Sequence, residues 1–171
     1  MQFTSEVTDL GVRERAFELE VAGERVPGIL WTPEDASGFR PLILMGQSLG
    51  TGVAARLAAE LADAGAPPEA LILVSPFRSV ARLFDEAVPL LPLGLAVRDR
   101  FDTEALAGRI RSEVLIVHGE RDQLIPIEHG RALAQLLGPR AKLVSVPGAG
   151  HGDMWDHDQS RAAVAAFLGE R

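Results

Sequence analysis

The sequence places a serine between two glycines, in the motif GQSLG (46–50), directly after the apolar run 42–45. A serine hydroxyl is a weak nucleophile unless a base removes its proton, another group orients that base, and donors stabilise the oxyanion. A sharp turn from strand to helix would hold Ser48 clear of a sheet, and the glycines would let the backbone pass closely. The motif therefore predicts that Ser48 is a nucleophile, although a serine beside glycines is also a common helix N-cap.

The two neighbours of Ser48 are candidates for binding substrate. Leu49 would begin the helix after the turn, so its N–H group and the positive end of the helix dipole would point at the oxyanion. Gln47 and Leu49 flank the hydroxyl and are expected to lie near the pocket. Phe77 and Arg78, just beyond a later apolar run, could line the pocket or serve in packing.

Asp122 and His151 follow the ends of two later apolar runs, 113–118 and 141–146. Parallel strands place their carboxyl ends along one edge of a sheet, where ligand sites gather. We therefore expect Ser48, Asp122 and His151 to converge, in the chain order serine, aspartate, histidine that accompanies this turn motif. His151 would take the serine proton, and Asp122 would hold the other ring N–H.

Other interpretations of these residues stay open at the level of sequence. Asp122 could only brace its own turn, in which case Glu120 or Asp102 would be the acid. His151 stands between two glycines and could be no more than an exposed turn residue. The three-dimensional positions of the two loops decide between these interpretations.

An acidic segment near the C-terminus offers a metal-site alternative. Its side chains with ligand atoms are His151, Asp153, Asp156, His157 and Asp158. Their spacing matches no standard zinc motif, so the sequence predicts neither a metal nor a cofactor. Of the other histidines, His118 ends an apolar run and is expected to be structural, whereas His129 is expected to lie exposed on a helix.

These residues need a scaffold in which buried strands alternate with helices. Apolar runs predict strands at 42–45, 70–75, 113–118 and 141–146. Apolar residues at helical spacing predict helices at 49–64, 79–88, 127–137 and 157–168. A short helix follows Asp102 or Thr103 as N-cap. Alternating residues within 13–31 predict an N-terminal antiparallel hairpin. Strands buried on both faces indicate an α/β fold, a three-layer sandwich with a mostly parallel sheet of about six strands in all.

The segment 77–108 fits this alternation least well. It holds a predicted helix near 79–88 and then the proline-interrupted stretch PLLPLGLAV (89–97). It could be a lid over the pocket or a plain crossover connection. As a lid, it would offer apolar contacts to an acyl chain through Leu90, Leu91, Leu93 and Leu95.

The composition bounds the class of protein. A chain of 171 residues with 47% hydrophobic and 24% charged residues is expected to form one soluble globular domain over residues 1–171. The net charge of −7 and the pI near 5.1 argue against a nucleic-acid partner. The sequence has no cysteine, no signal-peptide pattern and no apolar stretch long enough to span a bilayer, so a cytoplasmic location is the default expectation.

Four stretches of the sequence resemble the α/β-hydrolase superfamily. They are GQSLGTGVA, LVSPFRSVARL, RDRFDTEALAGRIRSEVLIVHGERDQLIP and VPGAGHGDMW. Within that superfamily they are similar to the branch with intracellular esterases, lysophospholipases and acyl-protein thioesterases. The resemblance runs from about residue 42 to the C-terminus. It implies a Ser48–Asp122–His151 triad, an acyl-enzyme mechanism, and a small ester or other acyl compound as substrate.

The sequence departs from the family pattern before the serine. Family members place further strands, helices and a His-Gly-rich loop there, whereas this chain lacks roughly two units of the ~30-residue strand–helix type. The missing loop supplies the second oxyanion donor, and losing one donor typically costs about 10²–10³ in turnover. An exposed sheet edge would also favour a homodimer. The alternative to an active enzyme is a truncated or engineered scaffold with little activity that can self-associate.

Overall fold

The computed structural model describes residues 12–21, 24–33, 42–87, 94, 97 and 101–169. The chain divides into two compact units, Met1–Arg40 and Pro41–Arg171. That residues 1–171 form one domain stays a prediction.

The first unit contains a pair of antiparallel strands. β1 spans Val12–Val21 and β2 spans Glu24–Pro33, and they form a two-stranded sheet. Their pairing runs from Val12 opposite Pro33 to Val21 opposite Glu24. The strand segments predicted within 13–31 fall inside these two strands.

The second unit is a parallel sheet with helices in its connections. Its strands are β3 (Ile43–Gln47), β4 (Ala70–Val74), β5 (Glu113–Gly119) and β6 (Ala141–Val146), which lie side by side in that order. Its helices are α1 (Leu49–Asp63), α2 (Val80–Ala87), α3 (Thr103–Leu106), α4 (Ile127–Leu137) and α5 (Asp158–Gly169). All three strand pairs are parallel, as expected when a helix carries the chain back between neighbouring strands.

Alternate residues of the central strands face two separate hydrophobic clusters. Leu71 and Leu73 of β4 join one cluster with alanines of α1 and with Leu133 of α4. Ile72 and Val74 join the other, with Phe167 of α5. The sheet therefore lies between two helical layers, which is the three-layer arrangement predicted from the apolar runs.

Local sequence signals set the ends of the helices. Oδ1 of Asp102 accepts a 3.0 Å hydrogen bond from the N–H of Ala105 and caps α3. Gly138, with φ of 65°, ends α4. Small alanines line the buried side of α1, which lets the helix pack closely on the sheet. No helix among the described residues is long and apolar enough to cross a membrane.

Strand β3 pairs only with β4 among the described residues. Three apolar side chains at this side of the sheet are 38–48% exposed, namely Leu42, Ile43 and Met45. The predicted dimer stays a prediction. The leucines proposed as acyl-chain contacts at 90, 91, 93 and 95 lie outside the described residues.

Candidate active site

The serine at the end of β3 sits on a strained turn. Ser48 has φ of 52° and ψ of −123°, a backbone conformation that L-residues rarely adopt. Its N–H donates to the carbonyl of Val74 at 2.9 Å, and its own carbonyl accepts the N–H and hydroxyl of Thr51 at 2.9 and 2.6 Å. A Cβ on Gly46 would lie 2.3 Å from the carbonyl oxygen of Gly50, so the turn leaves no room for a side chain there.

The side chain of Ser48 makes no capping hydrogen bond to α1, although the residue holds the N-cap position. The hydroxyl of Ser48 therefore does not cap the helix. Its Oγ instead lies 2.9 Å from Nε2 of His151. Leu49 is the first residue of α1, and the first N–H groups of a helix have no partner within the helix.

Asp122 holds the far side of the histidine ring. Its Oδ2 is 2.8 Å from Nδ1 of His151, and its Oδ1 accepts the N–H groups of Leu124 at 3.0 Å and Ile125 at 2.8 Å. A carboxylate only accepts, so Nδ1 of His151 carries the hydrogen and Nε2 is free to accept from Ser48. The Asp122 side chain is fully buried, whereas that of His151 is 22% exposed. The structure thus brings together the three side chains that the sequence predicts to converge.

Two loops at the carboxyl edge of the sheet bring Asp122 and His151 into contact. We define the acid loop as residues 120–126 and the histidine loop as residues 147–153. Glu120 N–H donates to Val146 at 3.1 Å, and Arg121 N–H donates to Ala149 at 2.9 Å. A Cβ on Gly119 would lie 2.4 Å from the carbonyl oxygen of Ala149, so the two loops pack directly against each other.

The acids considered as replacements for Asp122 occupy other places. Asp102 caps α3 through Ala105, and Glu120 is exposed in the acid loop. Neither has a hydrogen bond to His151 of the kind that Asp122 makes. Asp122 is therefore the carboxylate that contacts the histidine.

Side chains beyond His151 brace the histidine loop. Oδ1 of Asp153 accepts the N–H of Gly150 at 2.6 Å, and this hydrogen bond is the main reason that the pKa of Asp153 is lowered. The indole of Trp155 donates to Oε1 of Gln47 at 2.8 Å. The acidic segment considered as a metal site therefore acts, at Asp153, as a loop brace. Among the described residues, no group of three or more His, Asp or Glu side chains is placed to hold a metal ion.

An open apolar pocket of about 290 Å³ lies beside the serine. Besides Ser48 its lining is entirely apolar and consists of Leu49, Phe77, Val80, Leu83, Phe84, Leu124 and Ile125. Three of these residues lie on α2 at positions i, i+3 and i+4, which share one helix face. That spacing within the predicted helix 79–88 was the signal that could have identified them from the sequence. Gln47, expected near the pocket, instead hydrogen-bonds Trp155 and is absent from this lining.

Arg78 anchors the beginning of the pocket-lining segment. Its guanidinium makes two hydrogen bonds to the carboxylate of Glu104, at 2.9 and 2.6 Å. This pairing is the main cause that lowers the pKa of Glu104 and raises the pKa of Arg78. Phe77, by contrast, is buried and lines the pocket. Phe77 therefore both lines the pocket and packs in the core, whereas Arg78 does neither and forms an ion pair with Glu104.

The remaining buried histidines lie close to the site. The expectation that His129 is exposed is wrong, because its relative exposure is only 1%. The ring lies between α4 and α2, where Nδ1 accepts the N–H of Arg78 at 3.3 Å. Nε2 lies 3.0 Å from Oε2 of Glu86, at ion-pair distance but without hydrogen-bond geometry. His118 is fully buried, and burial is the main cause that lowers the pKa of both histidines.

A parallel sheet between helical layers, with a strained serine at a strand-to-helix turn, has the architecture of an α/β-hydrolase. The chain belongs to the α/β-hydrolase superfamily, and residues 96–170 match the family described as TAP-like protein.

Relatives support this assignment over part of their length. The chain is 37% identical to the zebrafish (Danio rerio) lysophosphatidylserine lipase ABHD12 over 112 residues, which covers 58% of this chain and 29% of the relative. It is 33% identical to an uncharacterised protein of Mycobacterium tuberculosis over 127 residues, with 73% and 43% covered. Among solved structures, the fold is similar to Est1E from Butyrivibrio proteoclasticus, with a TM-score of 0.57, 23% identity, and 77% and 61% of the two chains covered. The chain thus spans less than half the length of these two curated relatives.

Proposed function

We propose that the chain is a serine hydrolase that cleaves carboxylic esters or thioesters through an acyl-enzyme intermediate. The observation that carries the proposal is the continuous chain of contacts from Ser48 through His151 to Asp122, at 2.9 and 2.8 Å. Both distances are within hydrogen-bond reach, as a nucleophile, its base and the group that orients the base require.

Each residue has a defined part in the proposed reaction. His151 Nε2 takes the hydroxyl proton while Ser48 Oγ attacks the acyl carbonyl, and Asp122 stabilises the imidazolium that forms. The N–H of Leu49 donates to the oxyanion at the positive end of the α1 dipole. The imidazolium then gives its proton to the leaving alcohol or thiol. Water, deprotonated by His151, then attacks the acyl-enzyme; the bond from the acyl carbon to Ser48 Oγ breaks, and the imidazolium returns its proton to that oxygen as the acid leaves. No cofactor takes part.

The apolar lining of the pocket favours an acyl chain as the group bound beside Ser48. Burial of methylene groups against Phe77 and the apolar face of α2 would contribute about 0.8 kcal/mol for each CH₂. Two relatives carry names that agree with this chemistry, a lysophosphatidylserine lipase and an esterase domain. We therefore propose that the substrate is an ester with an acyl chain, as in the esterase and lipid-hydrolase branch of the superfamily.

A fluorophosphonate probe tests whether Ser48 is an active nucleophile. In intact-protein mass spectrometry the wild type should gain the mass of one probe molecule less HF, which leaves when the Ser48 oxygen displaces fluoride, whereas Ser48→Ala and His151→Ala should gain none. Ser145→Ala is the matched control, because it removes a serine hydroxyl from β6 and leaves Ser48 in place. Labelling of Ser48→Ala to the wild-type extent would overturn the proposal.

The alternative is an inactive scaffold that associates through a sheet edge. The exposed apolar side chains beside β3 favour it. Absence of labelling in wild-type protein with a native far-UV circular dichroism spectrum, together with a dimer in sedimentation, would support the scaffold and exclude the hydrolase.

A further inference from the structure

We propose that His118 is a positioning residue that sets the place of the Asp122 carboxylate through the backbone of Ile125. The inference rests on the proposed function, since it concerns the acid of that site. His118, which the sequence predicts only as a structural residue, would thus have a defined role in the site.

The geometry links the three residues directly. His118 is the next-to-last residue of β5, and its Nε2 lies 2.8 Å from the carbonyl oxygen of Ile125. The N–H of the same Ile125 donates to Oδ1 of Asp122 at 2.8 Å. Nε2 of His118 is also 3.7 Å from Oδ2 of Asp122, the oxygen that contacts His151. The imidazole of His118 therefore positions Ile125, and the amide of Ile125 in turn positions the carboxylate of Asp122.

The protonation of the His118 ring follows from its surroundings. A carbonyl oxygen only accepts, so the hydrogen lies on Nε2 and is donated to Ile125. Burial lowers the pKa of His118, which keeps the ring neutral with a single N–H. Nδ1 is then a buried acceptor without a hydrogen-bond partner. An apolar side chain of similar size would avoid that cost, so packing alone does not account for an imidazole here.

Backbone hydrogen bonds from Glu120 and Arg121 hold the start of the acid loop, and His118 holds the carbonyl of Ile125 near its end. Of residues 120–126, only Asp122 and Ile125 are buried, and Leu124 is 63% exposed. In a loop that is mostly exposed, the few buried positions fix its conformation. The hydrogen bond from His118 fixes one of the two.

Gly130 of α4 leaves the space that the His118 ring occupies. A Cβ on Gly130 would lie 2.6 Å from Nδ1 and 3.4 Å from Cγ of that ring. Gly130→Ala therefore displaces the imidazole without changing it, and provides a second way to perturb the link to Ile125.

Two substitutions of His118 separate hydrogen bonding from packing. Gln places an amide nitrogen near the position of Nε2 and can still donate to Ile125, whereas Leu fills similar space without a donor. His118→Leu should lower kcat for a chromogenic ester about tenfold or more, with KM changed less than about threefold, because the acid is misplaced while the pocket is intact. His118→Gln should stay within about threefold of the wild type, and Gly130→Ala should behave like His118→Leu.

A second readout does not depend on turnover. The downfield ¹H NMR resonance of the His151 Nδ1 proton reports its hydrogen bond to Asp122, and it should persist in His118→Gln but broaden or disappear in His118→Leu and Gly130→Ala. Equal loss in His118→Gln and His118→Leu, or a wild-type resonance in His118→Leu, would overturn the inference. If His118→Leu does not fold, the comparison of Gly130→Ala with His118→Gln decides the question. Failure of the proposed function is recognised separately, by a wild type that the fluorophosphonate probe does not label.

Discussion

The indole Nε1–H of Trp155 donates to Oε1 of Gln47 at 2.8 Å, across 108 positions of sequence. Gln47 is the last residue of β3 and directly precedes Ser48, whereas Trp155 follows the histidine loop. This hydrogen bond therefore joins the two segments that carry the serine and the histidine. The 2.9 Å separation of Ser48 and His151 is supported by a contact outside their own side chains.

Trp155→Phe should reduce kcat measurably while changing the free energy of unfolding only a little. The phenyl ring keeps the packing but loses the donor. Because the hydrogen bond is exposed, its net contribution to the free energy of unfolding should be near the lower end of about 0.5–1.5 kcal/mol. A small displacement of His151 should nevertheless reduce kcat about three- to tenfold. Steady-state kinetics and urea unfolding measure the two effects.

Gln47→Met is the matched partner in a double-mutant cycle with Trp155→Phe. If the hydrogen bond is the cause, the double variant should be no slower than the slower single variant. Simple additivity of the two effects on log kcat would contradict this explanation.

Gly46→Ala and Gly50→Ala should differ sharply although both alter the GQSLG motif. A Cβ at Gly46 would lie 2.3 Å from a backbone oxygen, whereas nothing lies within 4 Å of a Cβ at Gly50. Gly46→Ala should therefore destabilise the protein by about 1–3 kcal/mol or more, as overpacking does. Gly50→Ala, near the start of α1, should be neutral or slightly stabilising. Thermal unfolding of both variants measures this, and similar melting temperatures would contradict the steric role given to Gly46.

The architecture and the meeting of three distant side chains could be predicted because they follow from short-range rules. Buried apolar runs gave the strands of the parallel sheet, and parallel pairing necessarily puts Asp122 and His151 at the same edge. The bounds of α4 coincide with the prediction because Gly138 is a strong local stop signal.

Contacts between elements distant in sequence could not be predicted. The ring of His129 accepts the N–H of Arg78 and lies beside the carboxylate of Glu86, and no local pattern around His129 records these distant contacts. The Gln47–Trp155 hydrogen bond is invisible for the same reason. Gln47 was expected near the substrate from its place beside Ser48, but sequence adjacency does not decide where a side chain points.

Stability should fall as the pH is lowered from about 7.5 to 5.5. Burial lowers the pKa of His118 and His129 below the ordinary value near 6.5. In that interval the unfolded chain binds more protons than the folded chain, so the free energy of unfolding increases as the pH rises. Acidification therefore removes the stability that the two neutral histidines contribute. Urea unfolding at several pH values measures the slope. His129→Gln removes one of the two groups and should flatten the slope, and a stability that is constant across this range would contradict the prediction.

Leu83→Trp should shorten the acyl chains that the protein accepts. Leu83 lies on the pocket-lining face of α2, so a larger side chain takes up part of the 290 Å³ beside Ser48. Activity on an octanoyl ester should fall about tenfold or more, while activity on the acetyl ester should change less than about threefold, since each lost methylene contact costs about 1 kcal/mol or more. Leu136→Trp is the matched control, because Leu136 lies on α4, is 49% exposed and does not line the pocket. Rates for p-nitrophenyl esters of increasing length measure the effect. An equal loss for acetyl and octanoyl esters in Leu83→Trp would mean that this pocket does not bind the acyl chain.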